Sequence, residues 1–151
     1  MRARPRRHIP FILCAALAAA SAYAQAPTVL GYWREPGGSV ILISRCDQKL
    51  CVHIAMLSSR SPAATDSHNP DPELRSRPLC GLRIGAGFME VDPQHAHGGQ
   101  LYDPRSGHTY SGQMTAEDNL LHLRGYVGLP IFGRTATWVR ASQPPPCPTP
   151  R

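Results

Sequence analysis

Between Thr28 and Arg140 turn signals recur so often that no segment is left long enough for an amphipathic helix of ordinary length. "TVLGYWR" runs into "EPGG", "SVILISR" into "CDQK", and "LCVHIAML" follows. These segments predict three strands joined by two tight hairpins. Val40 and Leu42 alternate with Ile41 and Ile43, so both faces of the second strand are partly apolar. That pattern suits a barrel or sandwich strand rather than one with a face turned to water. Further on, "LRIGAGFMEV" reads as a strand bent at Gly85 and Gly87. "GQLYDPRSGHTYSGQMT" reads as a hairpin turning at "DPRSG", "AEDN" as the next turn, and "LLHLRGYVG" and "GRTATWVR" as the closing strands. The expected fold is all-β: a single antiparallel barrel of about eight strands, a closure that removes exposed edges. Its interior is either filled by side chains or holds one small ligand.

One stretch breaks the rhythm. Between the third and fourth strands lie about 22 residues without strand pattern, long for a compact domain. They include "DSHNPDPELRSRPLCG", Asp66 to Gly81. Asp71 suits a helix cap, Pro72 the first helical position and Glu73 the positive end of a short helical turn, which Pro78 ends. The charges of this loop are thereby read largely as helix punctuation, and the loop as a crossover strap over one mouth of the barrel, with Cys80 as an anchor.

The chain ends carry different information. "MRARPRRH" followed by "IPFILCAALAAASAYA" has the cationic, apolar and A-x-A parts of a cleavable signal peptide, which predicts residues 1–24 removed before Gln25 and a periplasmic or secreted product. The apolar run is short for a bilayer span, so no stable membrane span is expected after cleavage. Removing Arg2, Arg4, Arg6 and Arg7 takes lysine plus arginine from 16 to 12 against ten acids, and the net charge from +6 to +2. No basic run remains, which argues against nucleic acid as a partner. Residues 25–141 are the expected barrel domain, and 142–151, "SQPPPCPTPR", a proline-rich tail in extended form. Cys46, Cys51, Cys80 and Cys147 form an even set suited to disulfides in an oxidising compartment. Cys46 and Cys51 flank a hairpin-sized loop and are expected to pair, which leaves Cys80 and Cys147 either to bridge the tail to the barrel or to stay free on a disordered tail. In the chain-entropy picture the short bridge contributes roughly 2 kcal/mol and the long one roughly 4 kcal/mol.

The chemistry on offer is modest. His95 and His97 share a side of an extended segment, and His108 and His122 are further imidazoles, but "DPQHAHGGQ" reads as a loop and no metal or other cofactor is expected. Asp66, Ser67, His68 and Asp71 lie close in sequence without a nucleophile setting, so no catalytic residue is assigned. In "LLHLRGY", His122 and Arg124 share a face opposite Leu121 and Leu123. If that polar face points inward, Arg124 and Arg134, near Tyr110, Tyr126 and Trp138 and together with Trp33, make a ligand-binding set for an anionic or carbohydrate-like molecule. If it points outward, Arg124 is a solvated charge or pairs with Asp103.

Gly31-x-Trp33 on the first strand resembles the GxW signature of lipocalin-like barrels. The resemblance implies that the tryptophan closes one end with a basic residue of the last strand across it, here Arg140 or Arg134. A wider resemblance is to the bacterial family called domain of unknown function 2147. It rests on Gly31 and Trp33; on Asp103, Pro104, Gly107 and Tyr110 of the "DPRSGHTY" hairpin; on Arg124, Gly125 and Tyr126; and on Gly133, Arg134, Thr135, Trp138 and Arg140 of the closing strand. "RPLCGL" is similar to the family's central segment. The resemblance covers residues 28–140 and implies a small exported barrel, with structural roles for Gly31, Asp103, Pro104, Gly107, Gly133 and Arg140. It carries no reaction. The functional expectation is therefore non-catalytic binding of a small ligand or envelope component. A pocketless interaction module is the alternative and a hydrolase a distant third, and nothing in the sequence speaks to oligomeric state.

Overall fold

The computed structural model describes residues 26–147; the segment read as a signal peptide lies outside them. Eight antiparallel strands close into one barrel in chain order. They are β1 (Gly31–Arg34), β2 (Val40–Cys46), β3 (Lys49–Met56), β4 (Arg83–Asp92), β5 (His95–Asp103), β6 (His108–Glu117), β7 (Leu120–Tyr126) and β8 (Arg134–Arg140). The seam is short, with Trp33 opposite Arg140 and Arg34 opposite Val139. The β2–β3, β4–β5 and β6–β7 turns, with the start of β1 and the end of β8, lie at one end of the barrel. The remaining connections gather at the other end, the mouth.

Alternation along the strands sets the interior. Ile41 and Ile43, Leu50 and Val52, Met114 and Ala116, and Leu121 and Leu123 point inward and are buried. Each large side chain removed from water contributes about 1.5–3 kcal/mol. The apolar residues on the outer face of β2 also find cover. The segment after β8 starts on the Tyr32 carbonyl, through the amide of Ala141. It ends at Cys147, bonded to Cys80 and lying against the carbonyls of Ile54 and Ala55. The proline-rich tail therefore crosses the outside of β1 to β3. Cys46 bonds Cys51 across the β2–β3 hairpin.

The reading of "DPQHAHGGQ" as a loop is corrected. Only Pro93 and Gln94 turn, and β5 already begins at His95. The glycines that suggested a loop serve packing instead. Gly99 faces Gly112 across the β5–β6 ladder, and the fully buried ring of Phe88 lies over both. A side chain at Gly99 would overlap that ring.

Candidate functional site

The two barrel ends are finished differently. At the closed end Trp33 is completely buried and donates from Nε1 to the Val29 carbonyl at 2.8 Å. The Arg140 guanidinium lies 3.6 Å above the ring and donates to the carbonyls of Leu30 and Thr28. Of the two candidates for this role, Arg140 fills it. Gly31 has φ +107°, a conformation that disfavours side chains, and a Cβ there would come within 3.0 Å of the Arg140 guanidinium. With Phe88, Met114 and Leu121, Trp33 makes a packed floor.

Above that floor the barrel is hollow. A cavity of about 550 Å³ opens at the mouth, within the usual size of small-molecule sites. Its walls are apolar: Ile41, Ile54, Ile84, Leu101, Leu123 and Trp138 face it. Its rim is polar, with Glu35, Ser39, Arg60, Tyr102 and Arg105 around the opening.

Carboxylates brace this rim. Glu35, nearly buried, accepts from the amides of Gly37 at 2.6 Å and Ser39 at 3.0 Å and pairs with Arg105 of the β5–β6 turn at 2.7 Å. Burial alone would raise its pKa; these donors outweigh burial and hold it below the usual carboxylate value. The long strap between β3 and β4 is tied by Asp66, which is 0 % exposed. Its oxygens accept from the Tyr102 hydroxyl at 2.6 Å, the Asn69 amide at 2.7 Å and Arg77 at 2.8 Å. Here too burial works upward and is outweighed by those three donors, so the pKa is lowered. Burial and the bond to Asp66 push the Tyr102 phenol up to about 12.

The strap contains the expected helical turn, Pro72–Leu74, capped by Asp71 through the Glu73 amide. Reading its charges largely as helix punctuation is corrected: the buried Asp66, held by Arg77 and Tyr102, fastens the strap to β5. Gly107, at φ +73°, lies so close beneath the His68 carbonyl that a side chain would overlap it. Arg60, Ser61, Pro62 and Leu79 of the strap complete the cavity lining, so the strap borders the mouth.

The sequence-derived ligand set is scattered by this geometry. Trp138 stands in the cavity wall. Arg134 begins β8 in the same inward register as Ala136 and Trp138 and is exposed at the mouth. Tyr110 is also in the inward register, beside Gly125 and outside the cavity lining. Trp33 belongs to the floor. Arg124 and Tyr126 face outward, because Leu121 and Leu123 take the interior. Arg124 makes no pair with Asp103: it donates to the carbonyls of Pro130 at 2.8 Å and Ile131 at 3.1 Å and to Thr135 Oγ1 at 3.0 Å. Asp103 is occupied by its own turn, accepting from the Arg105 amide and the Ser106 hydroxyl. His95 is held by Asp92, while His108 stands at the other end of the barrel. Ser67 and His68 are exposed beside the buried Asp66.

Glu35, Arg60, Tyr102 and Arg105 were not singled out from sequence. They sit in or beside turns, where polar residues are ordinary, and the Glu35–Arg105 pair spans 70 positions. The available signal was the recurrence of turn motifs at one end of an alternating strand pattern.

Among solved structures, protein HP1028 from the human pathogen Helicobacter pylori, described as belonging to the lipocalin family, is similar to this chain. It shares 24 % identity over 75 % of this chain and 82 % of its own, with a TM-score of 0.68. No curated protein matches the chain. The model of a family described as "Uncharacterized protein conserved in bacteria (DUF2147)" matches residues 31–140, from the first strand to the last. With its GxW floor, eight-strand closure and single-mouthed hollow, the chain belongs to that family and folds as a lipocalin-like barrel.

Proposed function

We propose that the protein is an exported carrier that binds one small amphipathic molecule, its apolar body in the barrel and an anionic head at the rim. The observation that carries this reading is the pairing of apolar cavity walls with arginines at the opening. The walls reward removal of hydrocarbon from water. Arg60 lies on the rim and makes no ion pair among the described residues, and Arg134 begins β8 at the same end of the barrel in the inward register. Guanidinium groups in that position suit a carboxylate or phosphate head. Two disulfides fit an oxidising compartment, and no helix among the described residues is long and apolar enough to cross a membrane.

Displacement of anilinonaphthalene sulfonate by palmitate tests the proposal. Palmitate is expected to compete in the native protein. Ala136→Phe, which fills the cavity, abolishes the signal, and Arg60→Ala weakens palmitate about tenfold. No uptake of probe or palmitate, or equal binding by Ala136→Phe, overturns the reading. Native mass spectrometry of protein isolated from its own compartment then identifies the retained molecule.

A further inference from the structure

The β7–β8 connection stands at the mouth and exposes four large apolar side chains in a row of seven residues. Val127 is 74 % exposed, Leu129 62 %, Ile131 76 % and Phe132 78 %. The loop is nevertheless firmly built. A short helical turn spans Pro130–Phe132, with the Phe132 amide on the Leu129 carbonyl at 3.2 Å and the Gly133 amide on the Pro130 carbonyl at 3.0 Å. Arg124 reaches up from β7 and takes the Pro130 and Ile131 carbonyls. Gly133 has no room for a side chain, since a Cβ would stand 2.7 Å from the Gly125 carbonyl. A rigid loop thus holds apolar side chains outward while three of its own carbonyls, those of Leu129, Pro130 and Ile131, are satisfied internally. Each carbonyl so satisfied lowers the cost of putting this backbone into a water-poor medium.

Charge is divided between the barrel ends in a matching way. The strands and loops on the mouth side carry eight arginines and five acids, a net of +3. Two of those acids, Glu35 and Asp66, are already paired with Arg105 and Arg77. The closed side carries three cations, Arg45, Lys49 and Arg140, against five acids, a net of −2. Two copies meeting mouth to mouth would set like charges against each other. An anionic bilayer surface complements both features: headgroups meet the arginines while the loop tip enters the acyl boundary.

We propose that the β7–β8 loop is a membrane-docking wedge that seats the barrel mouth on an anionic lipid bilayer. The wedge works whether or not the cavity is occupied. Cosedimentation of the oxidised protein with vesicles tests it, comparing phosphatidylcholine alone with phosphatidylcholine mixed with phosphatidylglycerol. Binding is expected on the anionic vesicles and is weakened by salt. The double substitution Ile131→Asp, Phe132→Asp lowers apparent affinity roughly 100-fold. Arg134→Glu lowers it about tenfold. Both variants alter exposed positions, so an unchanged melting temperature is the folding control. Ala136→Phe keeps vesicle binding, which separates failure of docking from failure of ligand uptake. The proposal is overturned if native protein ignores anionic vesicles or if the double substitution leaves binding unchanged. A dimer dissolved by the double substitution, without vesicle binding, assigns the loop to a second copy and also overturns it.

Discussion

The closed end and the mouth of this barrel solve the same problem with different chemistry. The floor is sealed by an indole under a guanidinium whose donors end on backbone carbonyls, so neither of those two groups changes charge in acid. The mouth is braced by two carboxylates, Glu35 and Asp66, each drawing donors from a separate turn or strap. The floor can therefore hold the barrel while the rim responds to solution conditions, which suits a container with one entrance.

The largest test of that contrast is Trp33→Ala. Truncating a fully buried indole costs about 3–5 kcal/mol, and it removes the stacking partner of Arg140 as well. The melting temperature is expected to fall sharply, and an unchanged value would remove the floor from the account. Asp66→Ala comes next. It strands the Tyr102 hydroxyl and Arg77 and costs about 2–4 kcal/mol. The loss should be local: hydrogen exchange across residues 58–82 rises while the strands stay protected. If exchange rises equally everywhere, the strap is not a separable part.

Proton linkage sharpens the comparison further. Asp66 and Glu35 have lowered folded-state values, so their contribution is present above the unfolded carboxylate pKa and is lost as pH falls through the folded one. Tyr102 is raised to about 12, so its contribution is present below the unfolded phenol pKa and is lost as pH climbs through about 12. Strap protection should thus fail at acid pH while near-ultraviolet dichroism of the floor persists there; at strongly alkaline pH both ends weaken, because burial also lowers the pKa of the Arg140 guanidinium. Simultaneous loss at both ends of the barrel in acid would argue against it. The smallest effect is Arg105→Ala. Its side chain is well exposed and Glu35 keeps two amide donors, so a cost of about 0.5–1 kcal/mol is expected in chemical denaturation.

Much of the barrel was legible because strand alternation and turn residues are local signals. Ile41–Ile43 and Leu121–Leu123 announce strands, and "DPRSG" announces its turn through Asp103 and Gly107. The misreading fell where local cues served a distant partner: Gly98 and Gly99 look like loop, yet Gly99 is small because Phe88 needs its space. The candidate site was less legible for the same reason. Asp71 declares itself as a cap to a neighbour two positions away, whereas Asp66 is defined by Tyr102, 36 positions on. Arg124 resembled a ligand-binding residue because its chemistry is suited to anions, but which way a polar stripe faces is decided by the closure of the whole barrel.

The bridge from Cys80 to Cys147 has a consequence in time. Synthesis proceeds from the N-terminus, so the strap exists long before the cysteine that fastens it. Five strands, β4 to β8, and the tail after them must emerge first, and closure of β1 on β8 waits on the same stretch of chain. For that interval the nascent container has neither a finished wall nor a latched cover. On the proposed carrier role, a ligand meets its widest entrance before the barrel is closed and the strap fastened.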